Sequence, residues 1–261
     1  MFDYHLHSTI SYDGHNTPEE MAKAAVAAGL KEICFTDHLD YQQSSPREVY
    51  AYTTENYRKG YDSLQIPGLS IRHGAEIGMT GWNKAQAEKD LSEYPYDFVI
   101  GSIHFIDDVD IYFPEFWEGR DFFATERIYY EETLRCVQVH DNFDVLGHLT
   151  YISKCKGHPS PRIIPLEDHK ELFVEIMKVL IAKGKGIEIN TSGVDRCGDY
   201  LPGISYLKLF KELGGEVITV GSDAHTSDRV GQYVNEGIAM AKEVFGHVCT
   251  FENRQAVFHK L

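Results

Sequence analysis

The chain lacks the features that mark membrane, secreted and disulfide-bonded proteins. No run approaches the roughly 20 consecutive apolar residues that span a bilayer. The first residues, Met1 to His5, contain no basic stretch followed by an apolar one, so we expect no cleaved signal peptide and a cytoplasmic location. The 5 cysteines are scattered and form no C-x-x-C pair, which predicts reduced thiols rather than a disulfide framework.

Positive charge is also scarce. The chain has 25 Lys and Arg residues against 40 Asp and Glu residues, for a net charge of −15. Affinity for nucleic acid depends on Lys and Arg contacts to phosphates, so a chain this acidic is a poor partner for DNA or RNA. We therefore expect neither a nucleic-acid partner nor a membrane partner, and composition leaves the oligomeric state open.

Low-complexity tracts, internal repeats and linkers rich in Pro, Gly or Ser are missing as well, which predicts one domain over residues 1–261. Short apolar segments alternate with amphipathic helical stretches, a pattern typical of βα units and a mainly parallel sheet. Seven strands are predicted, at Phe2–Tyr4, Glu32–Phe35, Ser70–Ala75, Phe98–Gly101, Asp144–Gly147, Gly186–Asn190 and Val217–Gly221. Seven βα units favour an α/β fold with a barrel-like closed sheet, and an open doubly wound sheet is the alternative. No G-x-G-x-x-G follows the first strand, so nothing predicts a dinucleotide site.

The first helix has the clearest boundaries. Thr17 is a predicted N-cap, Pro18 occupies the first turn, Glu20 completes a capping box and Gly29 terminates the helix. Further helices are predicted at Arg47–Leu64, Phe122–His140, Leu166–Lys183, Ile204–Leu213 and Val230–Phe245.

Imidazoles and carboxylates follow six of the seven predicted strands. They are His5, His7, Asp13, His38, Glu76, His104, His148, Asp223 and His225. The carboxyl ends of the strands of a β/α barrel converge on one face, where active sites are built. Residues two apart on an extended chain point the same way, which pairs His5 with His7 and Asp223 with His225. We therefore expect all of these side chains in one small volume.

This donor set predicts a metal centre. Neutral imidazole and carboxylate suit Zn, Fe and Mn, and the absence of cysteine argues against a structural zinc site. At about three or four protein ligands per ion, with positions left open for water, the set suits two or three ions. The other histidines lack the strand-end setting and are interpreted as ordinary surface or core residues; they are His15, His73, His140, His158, His169, His247 and His259.

The motifs around these residues resemble those of the polymerase and histidinol phosphatase (PHP) family of metal-dependent phosphoesterases. They are His5-x-His7, Ser11-x-Asp13-Gly14, Thr36-Asp37-His38, Glu76, Gly101-Ser102-Ile103-His104, Gly147-His148 and Gly221-Ser222-Asp223-Ala224-His225. The motifs run in the family's order over essentially the whole chain. Residues 97–105 and 188–193 are most similar to the branch of the family that acts on histidinol phosphate.

The resemblance implies a distorted seven-stranded (β/α) barrel, TIM-like, with a site for three divalent ions at the carboxyl ends of the strands. The ions implied are Zn, Mn and Fe. One ion would take His5, His7, Glu76 and Asp223, a second Glu76, His104 and His148, and a third Asp13, His38 and His225. Asp37, beside His38, is a candidate for orienting an imidazole.

The implied activity is hydrolysis of a small phosphomonoester, namely L-histidinol phosphate to L-histidinol and phosphate in histidine biosynthesis. We expect a metal-bridging hydroxide as nucleophile and no phospho-enzyme. The predicted catalytic residues are Arg196, Asp223 and His225, and the predicted substrate-binding residues are Arg196, Lys154, Arg162, Asn190 and Ser192. Arg196 follows the one strand that carries no ligand, and a guanidinium suits phosphate.

Acidic and aromatic side chains would suit the amine and imidazole of such a substrate, and several follow the ligand-bearing strands. They are Tyr12, Asp40, Tyr41, Phe105, Asp107 and Trp117. The family's pattern is not complete, because Thr150 stands where an Asp is common, and Ser153 and Lys154 stand where a basic pair is common.

Three other functions fit parts of the sequence. One is a PHP-type phosphodiesterase or exonuclease acting on nucleotides or nucleic acid, which the acidic charge and the single domain disfavour. Another is a C–N hydrolase on a related metal-dependent barrel, but no lysine stands at a matching strand end. The third is an inactive, metal-stabilised interaction module, whose expected mark is the loss of a ligand.

Overall fold

Twelve strands and nine α-helices are found in the computed structural model, which describes residues 1–158 and 164–261. The strands are β1 (Phe2–Leu6), β2 (Glu32–Phe35), β3 (His38–Leu39), β4 (Ser70–Gly78), β5 (Phe98–Ser102), β6 (Phe105–Ile106), β7 (Val109–Asp110), β8 (Val145–Leu146), β9 (Gly186–Asn190), β10 (Ile218–Gly221), β11 (His247–Glu252) and β12 (Gln255–Lys260). The helices are α1 (Pro18–Ala27), α2 (Thr54–Tyr61), α3 (Lys84–Ser92), α4 (Pro114–Trp117), α5 (Phe122–Val139), α6 (Lys170–Ala182), α7 (Val194–Cys197), α8 (Ile204–Glu212) and α9 (Val234–Phe245).

Parallel strands in the order β1-β2-β4-β5-β8-β9-β10 form a nearly closed barrel. Strands β1 and β10 meet at their carboxyl ends. The amide of His7 donates to the Ala224 carbonyl at 2.9 Å, and the amide of Asp223 donates to the His5 carbonyl at 2.8 Å. The short strand β3 pairs with β4 beyond β2 and brings His38 beside Glu76. The predicted seven-stranded, distorted (β/α) barrel is thus confirmed, and the open sheet was the wrong alternative.

A C-terminal hairpin, β11–β12, packs at the amino ends of the barrel strands. Arg254 Nε donates to Asp144, just before β8, and the amide of Asn253 donates to Asp97, just before β5. Phe251 of this hairpin lies 4.8 Å from Phe98 between ring centroids. The hairpin therefore covers this end of the barrel with both polar and apolar contacts.

The first helix begins as predicted. Thr17 Oγ1 accepts from the Glu20 amide, and the Glu20 carboxylate accepts from the Thr17 amide at 2.8 Å, which completes the capping box. Gly29 follows the helix with a φ of +77°, a left-handed conformation that glycine adopts without steric cost.

Three helix boundaries differ from the predictions. The segment predicted from Leu166 first forms a 3-10 turn, Leu166–His169, and α6 begins at Lys170. The segment predicted as Arg47–Leu64 contains a short 3-10 turn and then α2, because Ala51 pairs with Leu39 as an isolated bridge. The helix predicted from Val230 begins at Val234, because Gly231 and Tyr233 both have positive φ. None of the helices in residues 1–158 and 164–261 is long and apolar enough to cross a bilayer.

Candidate active site

Four side chains from neighbouring strands meet at the carboxyl end of the barrel. His5 Nε2 lies 3.1 Å from Glu76 Oε2 and 3.6 Å from Asp223 Oδ1. His7 Nε2 lies 3.4 Å and 3.3 Å from the same two oxygens. All four side chains are buried. We call these residues group one.

The other oxygen of Glu76 faces a second pair of imidazoles. Glu76 Oε1 lies 2.8 Å from His148 Nε2 and 3.4 Å from His104 Nε2, and the two ring nitrogens are 3.5 Å apart. We call these three residues group two. Glu76 therefore joins the two groups through its two oxygens.

A third group lies closer to the mouth of the barrel. Asp13 Oδ2 is 3.2 Å from His225 Nε2 and 3.5 Å from His38 Nε2. The ring of His7 stacks between them, with centroid separations of 4.3 Å to His38 and 4.1 Å to His225. We call Asp13, His38 and His225 group three. The barrel thus brings all nine predicted ligands together.

The spacing of these donor atoms suits metal ions better than hydrogen bonds. Two ligands on one tetrahedral ion, each about 2.0–2.2 Å from it, lie about 3.3–3.6 Å apart, whereas hydrogen bonds favour about 2.7–3.2 Å. Several inward-facing atoms are buried yet have no hydrogen-bond partner within residues 1–158 and 164–261, among them His5 Nε2, His7 Nε2 and Glu76 Oε2. Unpaired buried polar atoms are costly, so their clustering marks a place where cations would bind.

A second layer of carboxylates orients the imidazoles. Glu188 Oε1 lies 2.6 Å from His5 Nδ1, and its Oε2 accepts from the His148 amide at 2.9 Å. Asp40 Oδ1 lies 2.9 Å from His104 Nδ1. Each contact leaves the opposite ring nitrogen, Nε2, free to face the centre, as in known metal sites.

Asp37 acts less directly than predicted. It does not contact the His38 ring but accepts a hydrogen bond from Ser11 Oγ at 2.8 Å, and Ser11 Oγ lies 3.1 Å from His7 Nδ1. The hydroxyl of Tyr61 also donates to this carboxylate. Asp37 therefore orients the imidazole of His7 through Ser11.

The backbone at two ligands is in the left-handed region. His148 has a φ of 20° and Asp223 a φ of 56°, which is unfavourable for residues other than glycine. A glycine stands directly before His148, at Gly147, and two residues before Asp223, at Gly221. Both are needed for lack of space: a Cβ on Gly147 would lie 2.5 Å from Ser102 Oγ, and one on Gly221 would lie 2.3 Å from His5 Cβ. Such local strain at a polar cluster is typical of functional sites.

Burial and neighbouring charges shift the pKa values in this centre. Burial alone would raise the pKa of Glu76 and of Asp223, but the surrounding imidazoles, and Lys154 beside Asp223, hold both pKa values well below the ordinary range. Burial and the neighbouring imidazoles lower the pKa of His7. Burial would also lower the pKa of His5 and of His104, but the neighbouring carboxylates raise both. Cations bind to anionic carboxylates and neutral imidazoles, so metal binding at His5 and His104 would compete with protons.

A cavity of about 470 Å³ opens above the three groups. Its lining includes seven of the predicted ligands, namely Asp13, His38, Glu76, His104, His148, Asp223 and His225. His5 and His7 lie beneath it and are fully buried. The polar centre is therefore open to a small molecule through this cavity.

The predicted substrate-binding residues lie in different settings. Lys154, Ser192 and Arg196 line the cavity, and Lys154 Nζ lies 2.7 Å from both Asp223 Oδ2 and Ser192 Oγ. Arg196 is exposed and donates to the Cys155 carbonyl at 3.2 Å. Asn190 is buried away from the cavity; its amide donates to Glu188 Oε2 at 3.1 Å and its oxygen accepts from the Ser192 amide at 3.0 Å. The prediction for Arg162 lies outside the described residues.

The sequence analysis missed several residues of the site. Of the acidic and aromatic residues expected near the substrate, Tyr12 lines the cavity, whereas Asp40 is buried behind His104. The other four lie outside the lining; they are Tyr41, Phe105, Asp107 and Trp117. Residues not predicted at the lining are His15, Asp110, Tyr112, Phe113 and Tyr151. His15, interpreted as an ordinary histidine, follows no strand end, so its position was not readable from the pattern.

Comparison with known proteins identifies the family. Residues 3–192 match the model of the PHP domain. The chain belongs to the PHP family. A histidinol-phosphatase from Lactococcus lactis is 30% identical to this PHP protein over 259 residues, which cover 95% of the chain and 93% of the relative.

Solved structures support the same relationship. The crystal structure of histidinol phosphate phosphatase from Lactococcus lactis, complexed with Zn, L-histidinol and phosphate, superposes on this PHP protein with a TM-score of 0.87 at 29% identity, and the match covers 98% of each chain. A structure from work on YwqE of Bacillus subtilis and CpsB of Streptococcus pneumoniae, metal-dependent tyrosine phosphatases, gives a TM-score of 0.52 at 20% identity, covering 94% of this chain and 88% of that one. This second likeness shows the shared fold alone.

Proposed function

We propose that this PHP protein is a metal-dependent phosphomonoesterase that hydrolyses L-histidinol phosphate to L-histidinol and phosphate. The observation that carries the proposal is the donor centre itself: three groups of imidazoles and carboxylates, two of them joined at Glu76, at the floor of a cavity with cationic side chains on its wall. The likeness to a histidinol phosphate phosphatase over nearly the whole chain supports the substrate.

Three divalent ions are proposed, one for each group, chosen from Zn, Mn and Fe. Group one would supply His5, His7, Glu76 and Asp223, group two Glu76, His104 and His148, and group three Asp13, His38 and His225. Bound ions of this kind lower the pKa of water and neutralise charge on phosphoryl oxygens. The donor spacing and the unpaired buried nitrogens and oxygens support this assignment.

The chain's own cations would hold the phosphoryl group. Lys154 and Arg196 are proposed to bind its non-bridging oxygens from the wall of the cavity, with the Ser192 hydroxyl as a further donor. Asn190 is proposed to position Ser192 and Glu188 rather than to contact substrate, since its contacts lie within the protein. Hydrolysis needs the P–O bond to the alcohol to break as water adds to phosphorus, and it needs no protein nucleophile.

The catalytic domain is proposed to extend over all of residues 1–261. The family model ends at residue 192, before Asp223 and His225. Yet Asp223 contacts His5 and His7 of the first strand, so the centre needs the last βα unit. The C-terminal hairpin packs against the same barrel through Arg254 and Asp144.

The test is phosphate release by the purified protein, loaded with Mn or Zn, across phosphomonoesters and phosphodiesters. We expect histidinol phosphate to give the highest kcat/KM and chelation to abolish turnover. Faster cleavage of a diester or an oligonucleotide than of any monoester would overturn the proposal while leaving the metal centre intact.

Replacing Glu188 with Gln is expected to lower metal affinity and kcat/KM by about tenfold to a hundredfold. The substitution keeps the shape of the side chain but removes the charge that fixes His5 through Nδ1. Metal content after gel filtration, measured by mass spectrometry, and phosphate release together check it. Glu175→Gln, at an exposed carboxylate that pairs with Lys178, is the control and should change neither value. A normal metal content in Glu188→Gln would contradict the expectation.

Replacing Arg196 with Lys is expected to raise KM and the inhibition constant of inorganic phosphate by about tenfold or more. Lysine keeps the positive charge but loses the planar fork that binds two phosphate oxygens at once. Steady-state kinetics with phosphate as inhibitor measure both values. Arg229→Lys is a matched control, since Arg229 pairs with Asp195 outside the cavity lining. Unchanged phosphate inhibition would show that Arg196 does not bind the phosphoryl group.

A further inference from the structure

Asp110 places a carboxylate in the cavity without a cation to balance it. It lies at the end of β7 in the short hairpin β6–β7, and it lines the cavity above the metal centre. Its Oδ1 accepts a hydrogen bond from the Tyr112 amide at 2.8 Å. Within residues 1–158 and 164–261 it forms no salt bridge. Burial raises the pKa of this carboxyl above its ordinary value.

The cations of the cavity are engaged elsewhere. Lys154 Nζ is held by Asp223 Oδ2 at 2.7 Å and points toward the metal centre. Lys156 Nζ lies over aromatic rings, 5.2 Å from the centroid of Tyr112 and 5.6 Å from that of Phe113. The backbone amide of Lys156 donates to the carbonyl of Tyr112, so Lys156 is held beside the residues that follow β7. Among the described residues neither lysine pairs with Asp110, so its carboxylate remains available to a ligand.

Aromatic rings surround this carboxylate on the cavity wall. Tyr12 stacks over His38 at 5.3 Å, and Tyr151 packs 4.7 Å from His148 and 5.5 Å from His104. A tyrosine phenol, whose ordinary pKa is about 10, is uncharged at neutral pH. A carboxylate among neutral aromatic faces favours an organic cation, through ion pairing and cation–π contact together.

The cavity has cationic groups at its floor and the Asp110 carboxylate on its wall, and this arrangement favours one orientation of a phosphomonoester. A phosphoryl group belongs over the metal centre, beside Lys154 and Arg196. The alcohol part of a phosphomonoester then extends along the wall formed by Tyr12, Tyr151 and Asp110 toward the opening. A positive charge a few bonds from the ester oxygen would come near Asp110.

We propose that Asp110 is a specificity-determining residue, which selects phosphomonoesters whose alcohol part carries an ammonium group by accepting that group's hydrogen bonds. This inference rests on the proposed phosphatase function and names the group that recognises its substrate. It predicts that selectivity for cationic over neutral esters is lost when the charge of Asp110 is removed, while chemistry at the phosphoryl group is preserved.

The experiment compares the wild type with Asp110→Asn on matched esters. Phosphoethanolamine carries an ammonium and ethyl phosphate does not; histidinol phosphate and p-nitrophenyl phosphate complete the panel. Asp110→Asn is expected to lower kcat/KM for the cationic esters by about tenfold to a hundredfold, mainly through KM, the range expected for a lost hydrogen bond between charged groups. For the neutral esters the expected change is less than twofold.

The control is Asp107→Asn, which removes the same charge from the turn of the same hairpin. Asp107 is exposed and lies outside the cavity lining, and asparagine tolerates its positive φ. It should leave the ratio of cationic to neutral rates unchanged. An equal fall for both ester classes in Asp110→Asn, or no fall in either, would overturn the proposal.

Failure of the phosphatase function would appear differently. In that case the wild type would release phosphate from none of the esters. Calorimetric binding of L-histidinol in the presence of inorganic phosphate would then test Asp110 directly. Weaker binding to Asp110→Asn than to Asp107→Asn supports the proposal, and equal binding refutes it.

Discussion

The Glu76→Gln protein is expected to lose at least about a thousandfold in kcat/KM and to retain fewer metal ions than the wild type. Glu76 is the residue that belongs to two of the three groups, with Oε2 facing His5 and His7 and Oε1 facing His104 and His148. Its removal disturbs both groups at once. Bound metal supplies several kcal/mol of transition-state stabilisation, and each 1.36 kcal/mol is a factor of ten in rate.

Glutamine is the informative substitution because it keeps the volume and removes the charge. The pKa of Glu76 is held well below its usual value by imidazoles on two sides, so the carboxylate is ionised in the wild type. A neutral amide in the same place also points an N–H group at imidazole nitrogens that should face a cation. Ser102 Oγ donates to Glu76 Oε1 at 2.6 Å and can still donate to the amide oxygen, which limits structural damage.

Two measurements decide the outcome: metal stoichiometry by mass spectrometry and phosphate release at saturating and limiting substrate. Glu131→Gln, at an exposed carboxylate paired with Arg127, serves as the control and should behave as the wild type. Circular dichroism and a cooperative melt establish that the variant is folded. A folded Glu76→Gln protein with full metal content and activity would contradict the proposed centre.

Removal of metal by a chelator is expected to abolish phosphatase activity and to lower the melting temperature by about 10 °C. Ligands that bind only the folded state stabilise it by about 4 kcal/mol when present at a thousand times their dissociation constant. For a chain of this size each kcal/mol corresponds to about 2–4 °C. His7 Nε2 and Asp13 Oδ1 are buried and have no hydrogen-bond partner in the described part of the chain, so the loss of a bound cation there adds to the destabilisation.

Scanning fluorimetry and phosphate release, before and after dialysis against a chelator, check this result. Adding Zn or Mn back should restore both quantities, and the ion that restores the higher rate identifies the better cofactor. Glu76→Gln should show a smaller shift on chelation than the wild type, because it holds less metal at the start. Full activity in a preparation shown to be metal-free would rule out the metal-dependent mechanism.

The positions of the metal-binding motifs were predictable because each follows a strand with a local signature. His5 and His7 follow a short apolar run, and Asp223 and His225 repeat the spacing after the last strand. The parallel topology then requires their convergence, whatever the packing details. The capping box at Thr17 and Glu20 was likewise a local pattern with a local cause.

The supporting residues could not be predicted in the same way. Glu188 lies in the middle of a buried strand, and its contact to His5 joins residues 183 positions apart, across a barrel that must first close. Asp110 belongs to a hairpin of two-residue strands, too short for any periodicity to reveal. The helix predicted from Arg47 was wrong because Ala51 pairs with Leu39, a contact that periodicity does not encode.

Closure of the barrel also bears on how the chain acquires its centre during folding. The His5 carbonyl accepts from the Asp223 amide, and the Ala224 carbonyl accepts from the His7 amide, so the two ends of the barrel wall are joined at the site itself. Contacts between residues so distant in sequence carry a large loop-closure entropy and tend to form late. A nascent chain that stops at residue 192 still lacks two of the nine donors. Completion of the donor centre therefore coincides with completion of the fold.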